Sequence, residues 1–222
     1  MCGRYTITSP APALEARFEA TFAGTSAGPS YNAAPSQHLP VILNTEPGRI
    51  QLLQWGLVPG WVREVQKAPK PINARAETLA DKPSFRTLLQ RRRALVLADS
   101  FYEWQATASG KVPHRMLLNS EEPFAFAGLW DEWLDRQTGE VLPSFTIITT
   151  EPNSLMASIH NRMPVLLPDR AAELAWLDDS LSVPEHQALL RPHAAESMRE
   201  YMVSTLVNSP AHNEPAVLAP AA

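Results

Sequence analysis

The hydrophobic pattern along the chain predicts many short strands and a few short helices. Apolar runs of strand length recur throughout, and turn-like stretches such as ATASGK and DRQTGE separate several of them. We predict strands at residues 2–7, 41–43, 50–57, 94–104, 114–118, 124–133, 144–150 and 201–207. Helical spacing predicts helices at residues 13–22, 84–92, 171–177 and 184–190. This pattern predicts an α+β fold with a mostly antiparallel, barrel-like β core and short flanking helices.

The length and composition indicate one domain followed by a tail. A chain of 222 residues with 45% hydrophobic residues buries one large core more readily than two small ones. We place this domain at residues 1–208. Residues 209–222 read SPAHNEPAVLAPAA, and their high content of proline and alanine predicts a disordered tail.

Charge and cysteine content exclude several classes of protein. A net charge of −4 argues against a protein that coats duplex DNA by broad phosphate neutralisation. No apolar run is long enough to span a bilayer, and the N-terminus lacks the layout of a secretory signal. The single cysteine excludes an internal disulfide, and no histidine pair has zinc-ligand spacing, so we predict no metal and no cofactor. We expect a cytoplasmic monomer that contacts no membrane.

Cys2 is the first candidate for chemistry. Removal of Met1 would leave Cys2 with a free α-amine, whose pKa is about 7.7–8.0, next to a nucleophilic thiol. The thiol can attack an acyl carbon with the amine as its base. Alternatively, the amine can condense with an aldehyde, and the sulfur then closes a five-membered thiazolidine ring.

Three polar segments offer partners for either reaction. Asn73 and Arg75 are two residues apart on an extended chain, so they can present an amide and a guanidinium to one phosphate or oxyanion. Glu103 lies between two aromatic residues, which raises the pKa of a carboxylate and suits it to acid/base catalysis. His160 precedes Asn161 and Arg162 and can titrate near neutral pH. Each segment alone also fits a structural role.

Two further segments indicate binding. Trp61 follows a Pro-Gly turn in WGLVPGW and could stack on bases if it is exposed. Asn32 in YNAAP could hold a backbone group or a phosphate. Core packing and a plain turn are the alternative explanations.

The segments MCGRY, YNAAP, WGLVPGW, NARAET, SFYEW and HNRMP, in this order, resemble the SOS-response-associated peptidase (SRAP) family. The resemblance covers residues 2–208 and implies a single SRAP-type domain. It implies a protein that crosslinks to abasic sites in single-stranded DNA through its N-terminal cysteine, close to the nucleoid and as part of DNA repair. It further implies weak lyase activity like that of an abasic-site (AP) lyase, and reversal of the crosslink.

The resemblance also assigns roles to individual residues. By it, the catalytic residues are Cys2, Asn73, Glu103 and His160. Residues that contact DNA would be Arg4, Asn32, Trp61, Arg75, Thr149, Thr150 and Arg162. The chain departs from the family at Val62, where relatives often carry a bulky aromatic residue that wedges duplex apart. Two alternatives remain open from the residues alone. One is an N-terminal-nucleophile cysteine hydrolase, and the other is a non-covalent single-strand binding module.

Overall fold

Over residues 2–26 and 28–221, which the computed structural model describes, the chain forms thirteen β-strands and four α-helices. The strands are β1 (Arg4–Ile7), β2 (Thr21–Phe22), β3 (Ser30–Ala33), β4 (His38–Leu43), β5 (Glu46–Trp55), β6 (Asn73–Arg75), β7 (Arg93–Ala98), β8 (Ser100–Thr107), β9 (Gly110–Leu118), β10 (Phe124–Leu134), β11 (Val141–Thr150), β12 (Met163–Pro164) and β13 (Met198–Met202). The helices are α1 (Ala11–Phe18), α2 (Pro83–Arg91), α3 (Arg170–Leu177) and α4 (Val183–Ala188). Short 3₁₀ turns lie at Ala76–Thr78, Met156–Ser158, Ala195–Ser197, Thr205–Asn208 and Pro215–Leu218. The predicted α+β class is confirmed.

Five strands close into a barrel. Antiparallel pairing joins β11 to β10, β10 to β7, β7 to β4 and β4 to β5. A parallel contact between β5 and β11, with Trp55 opposite Phe145, completes the ring. The rings of these two residues stack with their centroids 6.3 Å apart inside the apolar core. Closure leaves these strands without a free edge, and it buries one continuous core.

A second, antiparallel sheet packs beside the barrel in the order β13-β9-β8-β1-β3. The chain passes from the barrel to this sheet at Asp99, between β7 and β8. The Asp99 carboxylate accepts hydrogen bonds from the backbone and the hydroxyl groups of Thr8 and Ser9. The single strand predicted over residues 94–104 is therefore wrong. Both halves are apolar, so the hydrophobic pattern does not show that they belong to different sheets.

Helix α1 is shorter than the periodicity predicts. Helix α1 ends at Phe18, because Glu19 adopts a left-handed conformation with φ of 51°. Residues Thr21–Phe22 then pair with β5 as strand β2, although we predicted that the helix continues to residue 22. Among the described residues, no helix is both long enough and apolar enough to cross a membrane.

The C-terminal segment is ordered from residue 209 to 221, so the prediction of a disordered tail is wrong there; Ala222 lies outside the described residues. Val217 is fully buried in a small cluster with Tyr102, Val203 and Val207. The Ala221 N–H donates to the Met202 carbonyl at 2.8 Å. Composition misled the prediction because the segment is held by tertiary contacts, which are the burial of Val217 and hydrogen bonds to residues distant in sequence.

Candidate active site around Cys2 and Glu103

Cys2 lies just before β1 and is fully buried against the barrel core. Its backbone is held from a neighbouring strand, because Asn73 Nδ2 donates to the Cys2 carbonyl at 2.8 Å. Asn73 is the first residue of β6, which runs parallel to β11. The Cys2 thiol faces the Arg4 carbonyl at 3.7 Å. Two of the four predicted catalytic residues are thus in direct contact. The predicted removal of Met1 concerns a residue outside those described.

The Cys2 thiol is held in its protonated form. Burial raises its pKa well above the usual value, and the charge of Glu103 raises it further. Strands β1 and β8 pair with Arg4 opposite Tyr102, so Cys2 and Glu103 lie at the same end of two neighbouring strands. A thiolate is therefore disfavoured in this environment, which bears on the order of any reaction at Cys2.

Glu103 is a buried carboxyl group on β8, with 2% of its surface exposed. Alternation along the strand places it on the same face as Phe101, which packs in the barrel core, and opposite to Tyr102 and Trp104. Burial raises the pKa of Glu103 to about 7, against an opposing effect of the positive charge of Lys111. At neutral pH both protonation states are populated, as a general acid and base requires.

His160 follows the 3₁₀ turn Met156–Ser158, and its ring is oriented by the backbone. The backbone N–H and the carbonyl of Arg162 both lie within hydrogen-bond distance of His160 Nδ1, at 3.0 and 3.2 Å, so the backbone fixes the ring through this nitrogen. Burial lowers the pKa of His160, and the charge of Arg162 contributes a smaller effect in the same direction. His160 is thus neutral at pH 7 and able to accept a proton.

One cavity of about 470 Å³ joins these groups. Its lining residues are Gly3, Arg4, Pro35, Glu103, Trp104, Lys111, His160 and Asn208. The cavity therefore brings together the start of β1, the β8–β9 hairpin, His160 and the 3₁₀ turn Thr205–Asn208. Trp104 Nε1 donates to Asn208 Oδ1 at 2.7 Å, which fixes one wall. Cys2 adjoins this cavity through its neighbour Gly3, and Asn73 is linked to it through Cys2.

The two arginines expected near the site have different surroundings. Arg4 lines the cavity, and its guanidinium donates to the carbonyl of Val207 at 2.9 Å. Arg162 forms two bonds to Glu77, at 2.7 and 2.9 Å, and a third to the Thr149 carbonyl at 2.6 Å. The bonds from Arg162 are the main reason that the pKa of Glu77 is lowered. The charge of Arg162 is therefore already matched inside the protein.

The other residues expected to contact DNA divide into exposed and buried groups. Arg75 is exposed, and Trp61 exposes 70% of its surface beside a separate cavity of about 810 Å³. Thr149 and Thr150 are buried on β11. Asn32 is also fully buried, so its amide group is not available to DNA in this structure.

Asn32 instead fixes the C-terminal segment. Its Nδ2 lies 3.2 Å from the Val207 carbonyl and 3.0 Å from those of Ser209 and His212. The Asn213 side chain in turn accepts from the Asn32 N–H at 3.1 Å. Asn32 thus positions the cavity wall from behind.

The sequence did not predict five of the cavity residues as site residues: Gly3, Pro35, Trp104, Lys111 and Asn208. Lys111 belongs to the turn-like stretch ATASGK and was treated only as part of a loop. The hairpin register, with Lys111 opposite Ala106, places it on the same face of the sheet as Trp104. Asn208 was assigned to the end of the domain, so no contact with the site was expected. Within residues 2–26 and 28–221, no group of three or more metal-ligating side chains could hold an ion.

The chain matches a known protein family over almost its whole length. The model described as "SOS response associated peptidase (SRAP)" matches residues 1–210, and the chain belongs to this family, as its motifs predicted.

Relatives and solved structures agree with this assignment. The abasic site processing protein YoqW of Bacillus subtilis (strain 168) is 44% identical over 223 residues, covering 98% of this chain and 99% of the relative. The abasic site processing protein HMCES of Xenopus tropicalis is 32% identical over 221 residues, covering 86% of this chain and 66% of the relative. A crystal structure of a Bacteroides thetaiotaomicron protein matches with a TM-score of 0.92 at 31% identity, covering 100% of both chains.

Proposed function

We propose that this protein processes abasic sites in single-stranded DNA by forming a covalent thiazolidine between Cys2 and the aldehyde of the lesion. One observation carries the proposal. Cys2, positioned by Asn73, adjoins a cavity that contains a carboxyl group with a pKa of about 7. The names of the relatives, which are abasic site processing proteins, support the same substrate.

The reaction begins at the α-amine of Cys2 after removal of Met1. The amine adds to the C1′ aldehyde of the open sugar and gives a carbinolamine. Loss of the hydroxyl group as water then forms a Schiff base. The sulfur next adds to the imine carbon, and the electron pair of the C=N bond moves to nitrogen, which takes a proton. A five-membered ring results, and the overall reaction releases one water.

The environment of the thiol determines this order. Because burial keeps the Cys2 thiol protonated, the amine is the first nucleophile and the sulfur acts second. Protonated Glu103 supplies the proton with which the carbinolamine hydroxyl leaves. The resulting carboxylate then accepts the thiol proton as the ring closes. Neutral His160 accepts the proton of the sugar hydroxyl during ring opening and returns it during reversal.

The remaining predicted residues act on the DNA strand or on the walls of its path. Exposed Arg75 and Trp61 are placed to meet a phosphate and a base. Arg162 binds a phosphate in place of the Glu77 carboxylate. Arg4 fixes the edge of the cavity through its bond to the Val207 carbonyl. The same Schiff base can lose the 3′ phosphate by β-elimination, which gives weak lyase activity.

The test compares two single-stranded oligonucleotides that differ only at the lesion. One carries an abasic site with its aldehyde, and the other carries tetrahydrofuran, which has none. We expect a denaturant-stable adduct with the first only, and none with Cys2→Ala. An adduct of normal yield with Cys2→Ala would overturn the proposal. Turnover of a model amide without any DNA adduct would favour the cysteine hydrolase instead.

A further inference from the structure

Lys111 is a cation in the wall of the cavity that the mechanism above does not use. The β8–β9 hairpin carries it there through a two-residue loop, with Thr107 opposite Gly110. Gly110 has a φ of 128°, which favours glycine, and Thr107 Oγ1 donates to its carbonyl at 2.8 Å. The residue opposite Lys111 is Ala106, which places the lysine on the same face of the hairpin as Trp104. The turn thus sets the position of this lysine.

The cations in and near the cavity differ in the ion pairs and hydrogen bonds that they form within the protein. Arg162 is matched by the two oxygens of Glu77, and Arg4 donates to the carbonyls of Val207 and Asn208. Lys111 is exposed and forms no ion pair with any residue that the structure describes. An incoming anion can therefore pair with Lys111 without displacing a carboxylate. A cation without a partner beside a reactive cavity is placed to receive a charged part of the substrate.

We propose that Lys111 holds the DNA phosphate adjacent to the abasic sugar and thereby positions the sugar over Cys2 and Glu103. This inference rests on the proposed function, since it assigns a phosphate site to the same substrate. A lysine suits the task because its compact charge accepts a phosphate in several orientations. The site would neutralise one backbone phosphate of a single strand, independently of base sequence.

The electrostatic effects of Lys111 agree with its position. Its charge lowers the pKa of both Glu103 and His160, so its ammonium group acts on both acid/base residues. Arg4 and Trp104 flank it along the cavity wall. A phosphate bound at Lys111 would accordingly lie next to the groups that open and close the sugar ring.

The experiment measures binding separately from crosslinking. Fluorescence anisotropy follows binding of a single-stranded oligonucleotide that contains tetrahydrofuran, to which Cys2 cannot couple. Either the 5′ or the 3′ phosphate of the lesion is replaced by an uncharged methylphosphonate. We expect one replacement to weaken wild-type binding roughly tenfold. On the strand with all its phosphates, Lys111→Gln should bind more weakly than wild type by the same factor. On the strand with the sensitive phosphate replaced, Lys111→Gln and wild type should bind with equal affinity.

Two variants control for charge and for folding. Lys111→Arg keeps the charge and should bind within about twofold of wild type. Arg49→Gln removes one positive charge from an exposed residue of β5 that pairs with Glu46 away from the cavity, and it should behave as wild type. Lys111→Gln should also reduce the slope of log affinity against log salt by roughly 0.7.

The outcomes separate this inference from the proposed function. The phosphate site is wrong if Lys111→Gln binds as tightly as wild type. It is also wrong if Lys111→Gln weakens binding further on each of the two methylphosphonate strands. Either result holds even when crosslinking through Cys2 occurs. If tetrahydrofuran strands show the expected coupling but no aldehyde strand is crosslinked, the phosphate site stands and the covalent function fails. Absence of single-strand binding by wild type would overturn both.

Discussion

Glu103 and Glu173 are buried to nearly the same extent in two regions of the molecule, with exposed fractions of 2% and 0%. Glu173 on α3 receives two bonds from Arg17, at 2.7 and 3.1 Å, and Arg170 lies 3.5 Å away. Glu103 faces the cavity, and its burial raises the pKa to about 7. The comparison shows that burial alone does not define a reactive carboxylate. The arginines that match the charge of Glu173 make it a structural contact, whereas the raised pKa of Glu103 lets it exchange protons near neutral pH.

The largest expected effect is on the rate of crosslinking, which should depend on Glu103 and not on Glu173. Glu103→Gln keeps the shape of the side chain but cannot transfer a proton, so single-turnover crosslinking at pH 7 should slow by roughly 10²–10⁴-fold. Affinity for the tetrahydrofuran strand should not change. The matched control is Glu173→Gln, which should crosslink at the wild-type rate per folded molecule. Equal rates for Glu103→Gln and wild type would make Glu103 a structural residue.

The second effect separates them by stability. Glu173→Gln removes the charge that Arg17 and Arg170 share, so the free energy of unfolding should fall by roughly 3–5 kcal/mol. Denaturant titration at pH 8 measures this loss. Under the same conditions Glu103→Gln should be as stable as wild type or more stable, because it removes a buried charge. A loss below about 1 kcal/mol for Glu173→Gln would show that the arginine pairs contribute little.

A third effect is the pH dependence of stability, and its sign follows from the raised pKa of Glu103. Between its ordinary value of 4.5 and about 7, the folded protein binds a proton that the unfolded chain has released. The stability of wild type relative to Glu103→Gln should therefore fall as the pH rises through this range, by up to about 3 kcal/mol, and stay constant above it. Unfolding titrations at several pH values measure the difference. A difference that grows with pH would contradict the raised pKa.

The family and the α+β class could be predicted from the sequence because both depend on local features. Ordered motifs such as NARAET and SFYEW mark the family, and apolar runs mark most strands. The break at Asp99 could not be predicted, because hydrophobicity does not distinguish one long strand from two strands in different sheets. The ordered C-terminal segment was missed because its stability comes from Val217 meeting residues distant in sequence.

The same limit applies to the site. The sequence predicted a raised pKa for Glu103, and the structure agrees in direction, but the cause is burial of the side chain on the face opposite to Tyr102 and Trp104. Asn32 and Lys111 show what the sequence does not contain. The first is buried against carbonyls nearly 180 positions away, and the second reaches the cavity only through the hairpin register. Both depend on tertiary contacts that no local pattern records.

The measurement that tests the central claim most directly is the mass of the crosslinked protein, followed by peptide mapping. Wild type is incubated with an abasic single strand, denatured and weighed intact. We predict the mass of the chain without Met1 plus the oligonucleotide minus one water, with the modification in the tryptic peptide of residues 2–4. A stable adduct on a chain that retains Met1, or one that maps to a lysine, would contradict the account.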